Sequence, residues 1–69
     1  EQDTYKIILK IIESLSDTYK DVCKMKYIEG LKEREIASIL DISPKAVNQR
    51  IQRGKQLIRK ALIREKLHD

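Results

Sequence analysis

The stretch that begins at Ser43 constrains the fold most, because it has the properties of one long helix. Ser43 is a favourable N-cap residue, and Pro44 suits the first helical position. Gly54 is the only helix breaker before about residue 66. Apolar and small residues recur at helical spacing and form a predicted buried stripe of Val47, Ile51, Gly54, Ile58, Ala61 and Leu62. Gly54 costs about 1 kcal/mol relative to alanine, and either permits close packing against the second helix or is simply tolerated.

Two further helices are predicted in the first half of the chain. The first spans about residues 4–14 with a stripe of Tyr5, Ile8, Leu9, Ile12 and Leu15, while Ile7 and Ile11 fall on its flank. The second begins after Ser16, a favourable N-cap, and runs to about Ile28. Its apolar candidates are Tyr19, Val22, Cys23, Met25 and Ile28. Gly30 would end it in a left-handed conformation.

A short helix from about residue 33 to residue 40 completes the set. Its predicted apolar face consists of Ile36, Ala37, Ile39 and Leu40. Lys32 stands where a hydroxyl cap would help, at a cost of about 1 kcal/mol. Glu33 and Glu35 offset part of this cost through the helix dipole.

Composition agrees with the all-α, four-helix domain that these patterns predict, in which the C-terminal helix is long. The 69 residues suffice for one domain spanning residues 1–69. Two glycines and one proline are too few for a turn-rich β fold. Cys23 is the sole cysteine, so no disulfide is expected, and a lone thiol suits the cytoplasm.

Several classes of function find no support in the sequence. It contains no signal peptide and no apolar run long enough to span a membrane. It also lacks metal-ligand spacing, a catalytic triad and a glycine-rich phosphate loop. We therefore expect no enzyme activity, cofactor, metal or small-molecule substrate. His68 is expected to belong to the tail.

Charge is distributed unevenly along the chain. The net charge is +4, and between residues 45 and 66 eight basic residues are accompanied by a single acid, Glu65. Most acids lie in the first half. This polarity favours a basic face that meets nucleic acid, although a solvated helix face would look the same.

The stretch from Glu33 to Gln52 has the pattern of a helix-turn-helix. Where its two helices cross steeply, a small residue is needed, and Ala37 supplies it. Apolar residues flank the turn and recur one turn into the second helix: Ile36, Leu40, Ile42, Val47 and Ile51. Asp41 occupies the turn, where a left-handed conformation is expected and aspartate is tolerated.

The residues themselves resemble those of a known family. The segments are Leu15-Ser16-Asp17-Thr18-Tyr19-Lys20-Asp21-Val22, Lys26-Tyr27-Ile28-Glu29-Gly30-Leu31, Glu35-Ile36-Ala37-Ser38-Ile39-Leu40 and Val47-Asn48-Gln49-Arg50-Ile51-Gln52-Arg53-Gly54-Lys55. Together they resemble region 4 of bacterial sigma-70 factors, especially the extracytoplasmic-function group. The resemblance covers residues 8–62. It departs at Ser16, Lys32 and Asp41, where proline, a hydroxyl cap and glycine are commoner.

Helical geometry and the resemblance together predict which residues contact DNA. If Val47 and Ile51 face inward, then Lys45, Asn48, Gln49 and Gln52 face outward, where such side chains can pair with base edges. The resemblance implies reading of the −35 promoter element in the major groove and adds Arg53 to the base-reading set. Phosphate contacts are expected from Lys32, Arg34, Ser43, Arg50 and Lys55. The polar residues could instead be solvated, and Arg59, Lys60 and Arg64 could be solvated or bind a partner.

The resemblance also implies a fragment of a longer cytoplasmic sigma factor with protein partners. These would be the β-subunit flap of core RNA polymerase and an anti-sigma factor. Candidate apolar contacts are Ile7, Ile11, Leu57, Ile63 and Leu67, which could also be loosely packed residues at helix ends. Two alternatives stay open. One is a response-regulator-type helix-turn-helix module, and the other is a helical adaptor that binds protein without reading DNA.

Overall fold

Four α-helices and one π-helical segment build the structure, a computed structural model that describes residues 2–67, with side chains for residues 4–65. The helices are α1 (Gln2–Ser14), α2 (Asp17–Cys23), α3 (Glu33–Leu40) and α4 (Pro44–Leu67), and the π-helical segment is Lys24–Ile28. The described residues contain no strand. The predicted all-α class is therefore confirmed. His68 lies outside the described residues.

The helix starts use different capping devices. Ser43 caps α4 as predicted, since its Oγ accepts a hydrogen bond from the Ala46 amide at 3.1 Å. Ser16 has the extended backbone of a cap residue, but its side chain makes no capping bond, contrary to expectation. At α3 the Glu35 carboxylate accepts the Lys32 amide at 2.8 Å. Glu35 therefore compensates for the missing hydroxyl by a direct hydrogen bond, not only through the helix dipole.

The second helix differs from the prediction of a continuous α-helix to Ile28. The α-helical pattern ends at Cys23 and widens into the π-helical segment, where the Glu29 amide reaches the Lys24 carbonyl at 3.0 Å, five residues back. The wider turn shifts the later side chains off the buried stripe, so Ile28 is 38% exposed and was wrongly assigned to the apolar face. Gly30 then ends the segment with a φ of 73°, as predicted.

The core lies between α4 and the other helices. Its buried residues are Ile11, Ile12, Val22, Cys23, Ile36, Ala37, Val47, Ile51 and Ile58. Within the predicted α4 stripe, four members including Gly54 are buried, while Ala61 and Leu62 are half-buried. Ile39 was wrongly placed on the apolar face of α3 and is 59% exposed. This short helix packs only through its Ile36, Ala37 and Leu40 side, and Ile39 projects from the flank.

Gly54 lies where α4 comes closest to α2. A Cβ at this position would stand 2.5 Å from the Cys23 Sγ and 3.7 Å from the Tyr19 Cβ. Of the two explanations for Gly54, the structure supports close helix packing. Gly54 lowers the helix propensity of α4, but the absence of a side chain there leaves the space in which Cys23 is buried between the helices.

The described residues contain neither a membrane-spanning helix nor a cluster of metal-ligating side chains. None of the helices traced over residues 2–67 has both the length and the apolar character that crossing a bilayer requires. In the same part of the chain, no group of three or more His, Cys, Asp or Glu side chains is arranged to hold a metal ion.

The turn between α3 and α4 places a non-glycine residue, Asp41, in the left-handed backbone region. Asp41 has φ 57° and ψ 47°, the left-handed region predicted for it, and is exposed. Because glycine reaches this region freely and a Cβ makes it costly, Asp41→Gly should be more stable than Asp41→Ala by about 1 kcal/mol. Urea unfolding of the two variants measures this difference. Equal midpoints would show that the turn relaxes to another conformation when Asp41 is replaced.

Candidate nucleic-acid interface

The crossing of α3 and α4 forms the scaffold of the candidate interface. Ala37 is 5% exposed, and its small side chain permits the close approach of α3 and α4 that the sequence pattern predicted. Ile36 and Val47 are fully buried, and Ile51 is nearly so. After the left-handed Asp41, the Ile42 amide donates to the Ala37 carbonyl at 3.0 Å. These contacts fix the direction in which α4 leaves the turn.

The outward face of α4 carries the predicted base-reading residues. With Val47 and Ile51 buried, the exposed positions include Lys45, Asn48, Gln49, Gln52 and Arg53. The first four lie on the side opposite the buried stripe, as helical periodicity requires. They form a row of donors and acceptors of the kind that pairs with base edges in a major groove.

The predicted phosphate-contacting residues flank this row. Lys32, Arg34, Ser43 and Lys55 are exposed, and Arg50 is half-buried. Lys32 and Arg34 stand at the start of α3, whereas Arg50 and Lys55 lie on α4. The Ser43 oxygen already accepts the Ala46 amide, so its hydroxyl hydrogen is what it can offer to a phosphate oxygen.

Charge pairing leaves the cations of α4 available. Among the described residues, ion pairs join Lys20 to Asp17 at 3.6 Å and Lys24 to Glu13 at 2.8 Å. The hydrogen bond from Lys24 holds the pKa of the Glu13 carboxyl below its ordinary value. Both pairs lie in the first half of the chain. The basic side chains of α4 are therefore not neutralised by these pairs, and a polyanion could approach them.

One contact within the interface was missed by the sequence analysis. The Asn48 amide nitrogen donates to the Glu33 carboxylate, at 3.5 Å from Oε1 and 3.4 Å from Oε2. Glu33 had been assigned only a helix-dipole role. The two residues are 15 positions apart, and no periodicity links them. Only the crossing of α3 over α4 brings them together.

The candidate partner contacts whose side chains are described differ in exposure. Ile63 is 55% exposed, whereas Ile7 and Leu57 are half-buried. Ile11 is 6% exposed and belongs to the core, so it offers little to a partner. The side chain of Leu67 lies outside the described residues. Ile7 and Ile11 line a shallow groove between α1 and the far end of α4, together with Lys10, Ala61 and Arg64.

A second groove is more apolar and was not predicted. It lies between α1, the π-helical segment and α4, and is lined by Tyr5, Ile8, Leu9, Ile12, Tyr27, Ile28, Lys55 and Ile58. Tyr5, which was predicted to lie on the apolar stripe of the first helix, is 53% exposed, and Tyr27 is 44% exposed. The widened turn at Lys24–Ile28 is what turns Tyr27 and Ile28 outward. No pattern in the sequence indicates a π-helical turn there.

The helix crossing, the left-handed turn and the exposed polar and basic face define a DNA-binding domain of the helix-turn-helix class. Residues 5–58 match the family model described as sigma-70, region 4, and the chain belongs to that family. The match disfavours the response-regulator alternative. Region 4 is a DNA-binding regulatory domain of transcription and not an enzyme family. Comparison with curated proteins and with solved structures gave no match.

Proposed function

We propose that this domain reads the −35 promoter element as part of a cytoplasmic sigma factor of the extracytoplasmic-function group. The observation that carries the proposal is the exposed row of Lys45, Asn48, Gln49 and Gln52 on α4, held over the buried Val47 and Ile51. Membership of the region 4 family supports it. Residues 1–69 would form one domain of a longer chain, whose other domains bind polymerase and the downstream element.

In this proposal the first half of α4 enters the major groove. Asn48 and Gln49 carry both a donor and an acceptor, which suits the adenine edge, while Lys45 and Arg53 can reach the acceptors of guanine. Arg50, Lys55, Lys32 and Arg34 contact the phosphates on either side. These contacts contribute affinity that depends on salt, whereas the base contacts contribute sequence preference.

The protein partners in this proposal are the flap of the polymerase β subunit and an anti-sigma factor. The exposed apolar side chains Tyr5, Tyr27 and Ile28 support a protein contact on the side of α1 and the π-helical segment. Ile63, at 55% exposure, supports a second contact near the end of α4. Ile7, Leu57 and Leu67 remain candidates for the same contacts.

Gln49→Ala is expected to reduce discrimination at one base pair by about 1–3 kcal/mol, because the alanine has no group to pair with a base edge. The measurement is binding to a randomised duplex library at several salt concentrations. Arg50→Ala is the matched variant for a phosphate contact. It should weaken binding to all duplexes alike and reduce the slope of log K against log salt by about 0.9.

The same library tests the proposal as a whole. Enrichment of one short motif that is lost in Asn48→Ala or Gln49→Ala would support promoter reading. A wild-type domain that binds every duplex equally, or none at low salt, would overturn it. That result would favour the helical adaptor, with α4 as a docking surface for protein.

A further inference from the structure

The contact between Glu33 and Asn48 joins the two helices of the helix-turn-helix at the base-reading face. Glu33 is the first residue of α3 and half-buried, whereas Asn48 is exposed on α4. Apart from ion pairs, it is the one hydrogen-bonded contact between two side chains in the described structure. It therefore gives the exposed Asn48 side chain a preferred orientation.

The chemistry of the partner determines how Asn48 is oriented. An ionised carboxylate can only accept hydrogen bonds, so the Asn48 NH₂ group must face Glu33 and the amide oxygen must face away. Both carboxylate oxygens lie near the same nitrogen, at 3.5 and 3.4 Å. One of the two N–H groups is thereby directed to Glu33. The other N–H group and the amide oxygen remain for a base.

The free N–H and the amide oxygen of Asn48 are complementary to adenine but not to guanine. In the major groove adenine presents the N7 acceptor and the N6 donor, whereas guanine presents two acceptors, N7 and O6. Asn48 with one N–H and its oxygen free can pair bidentately with adenine. Against guanine the amide oxygen would face O6, and two acceptors would meet without a hydrogen between them.

We propose that Glu33 is a positioning residue that holds the Asn48 amide in this orientation and so selects adenine over guanine at the base that Asn48 reads. The proposal rests on promoter reading by α4. Without Glu33, Asn48 can turn its whole NH₂ group towards the N7 and O6 acceptors of guanine. The free choice between the two orientations would let both purines bind.

The charge of Glu33 also affects overall DNA affinity, and the test must distinguish this effect from the effect on base preference. A carboxylate at the start of α3 repels phosphates, and it stands between Lys32 and Arg34, which attract them. Loss of this charge should strengthen binding to all duplexes without changing base preference. Glu33→Asp retains the charge but is one methylene shorter, so it cannot keep both the 3.4 and 3.5 Å contacts without a shift of the helices.

The experiment measures the affinity of the wild type, Asn48→Ala, Glu33→Ala, Glu33→Asp and the Glu33→Ala/Asn48→Ala double variant. The duplexes carry each base at each position of the enriched motif. Asn48→Ala identifies the position that Asn48 reads, where the wild type should prefer adenine over guanine by at least about fivefold. Thermal unfolding confirms that each variant is folded.

Glu33→Ala and Glu33→Asp should both bring the adenine-to-guanine ratio at that position to within about twofold, and only Glu33→Ala should also tighten binding to every duplex. The double variant should show no further loss of preference beyond Asn48→Ala. Preference at the Gln49 position should be unchanged.

Two results would overturn the positioning role while leaving promoter reading intact. One is an unchanged adenine-to-guanine ratio in Glu33→Ala. The other is an Asn48→Ala variant that loses preference for a base other than adenine. A wild type without any sequence preference would overturn both proposals together.

Discussion

Replacing Ile36 by alanine is expected to lower the free energy of unfolding by about 2–5 kcal/mol. Ile36 is fully buried and packs in the core at the crossing of α3 and α4. Truncation removes apolar contacts and leaves a cavity that the rigid crossing cannot fully close. A domain of this size has a total stability of roughly 3–10 kcal/mol, so this one change can leave a large unfolded fraction.

Ile39→Ala provides a matched comparison on the same helix. It makes the same chemical change three residues later, at a side chain that is 59% exposed. Its effect should be within about 0.5 kcal/mol, because little buried surface is lost and alanine favours helix. Denaturant unfolding of both variants decides the question. Similar losses in the two would contradict the orientation of α3 described above.

The second large effect is expected at Gly54. Gly54→Ala should lower the free energy of unfolding by about 1–2 kcal/mol, although alanine alone would favour helix by about 1 kcal/mol. The added Cβ would lie 2.5 Å from the Cys23 Sγ, so α2 and α4 would have to separate or Cys23 would have to rotate. Helix propensity considered alone would predict the opposite result, an increase in the free energy of unfolding.

A double-mutant cycle with Cys23→Ala isolates this contact. Burial raises the pKa of the Cys23 thiol, which therefore stays neutral and acts as a small apolar group. In the Cys23→Ala background the Sγ atom is gone, and Gly54→Ala should raise stability by up to about 1 kcal/mol. The coupling energy should be about 2 kcal/mol. A coupling energy near zero would mean that the effect of Gly54→Ala does not arise from contact with the Cys23 side chain.

The base-reading face depends on the same packing. Asn48 and Gln49 are directed outward because Val47 and Ile51, their neighbours on α4, are buried against α3 and the rest of the core. A change that loosens the crossing should therefore impair DNA discrimination as well as stability. The DNA-binding variants must be compared at temperatures where each is fully folded.

Features that depend on a few neighbouring residues could be predicted from the sequence. Ser43 and Pro44 predicted where α4 begins, and Gly30 and Asp41 predicted left-handed positions that the structure contains. Backbone preferences and capping act over three or four residues, so they can be read locally. The outward placement of Lys45, Asn48, Gln49 and Gln52 followed from helical periodicity alone.

Features that depend on how the helices pack against one another could not be predicted from the sequence. The π-helical turn at Lys24–Ile28, the exposure of Ile39 and the apolar groove beside Tyr27 had no sequence signal. The contact between Glu33 and Asn48 likewise joins residues 15 positions apart. Local propensities do not specify the angle and separation at which two helices cross, because these are set by the packing of the whole core.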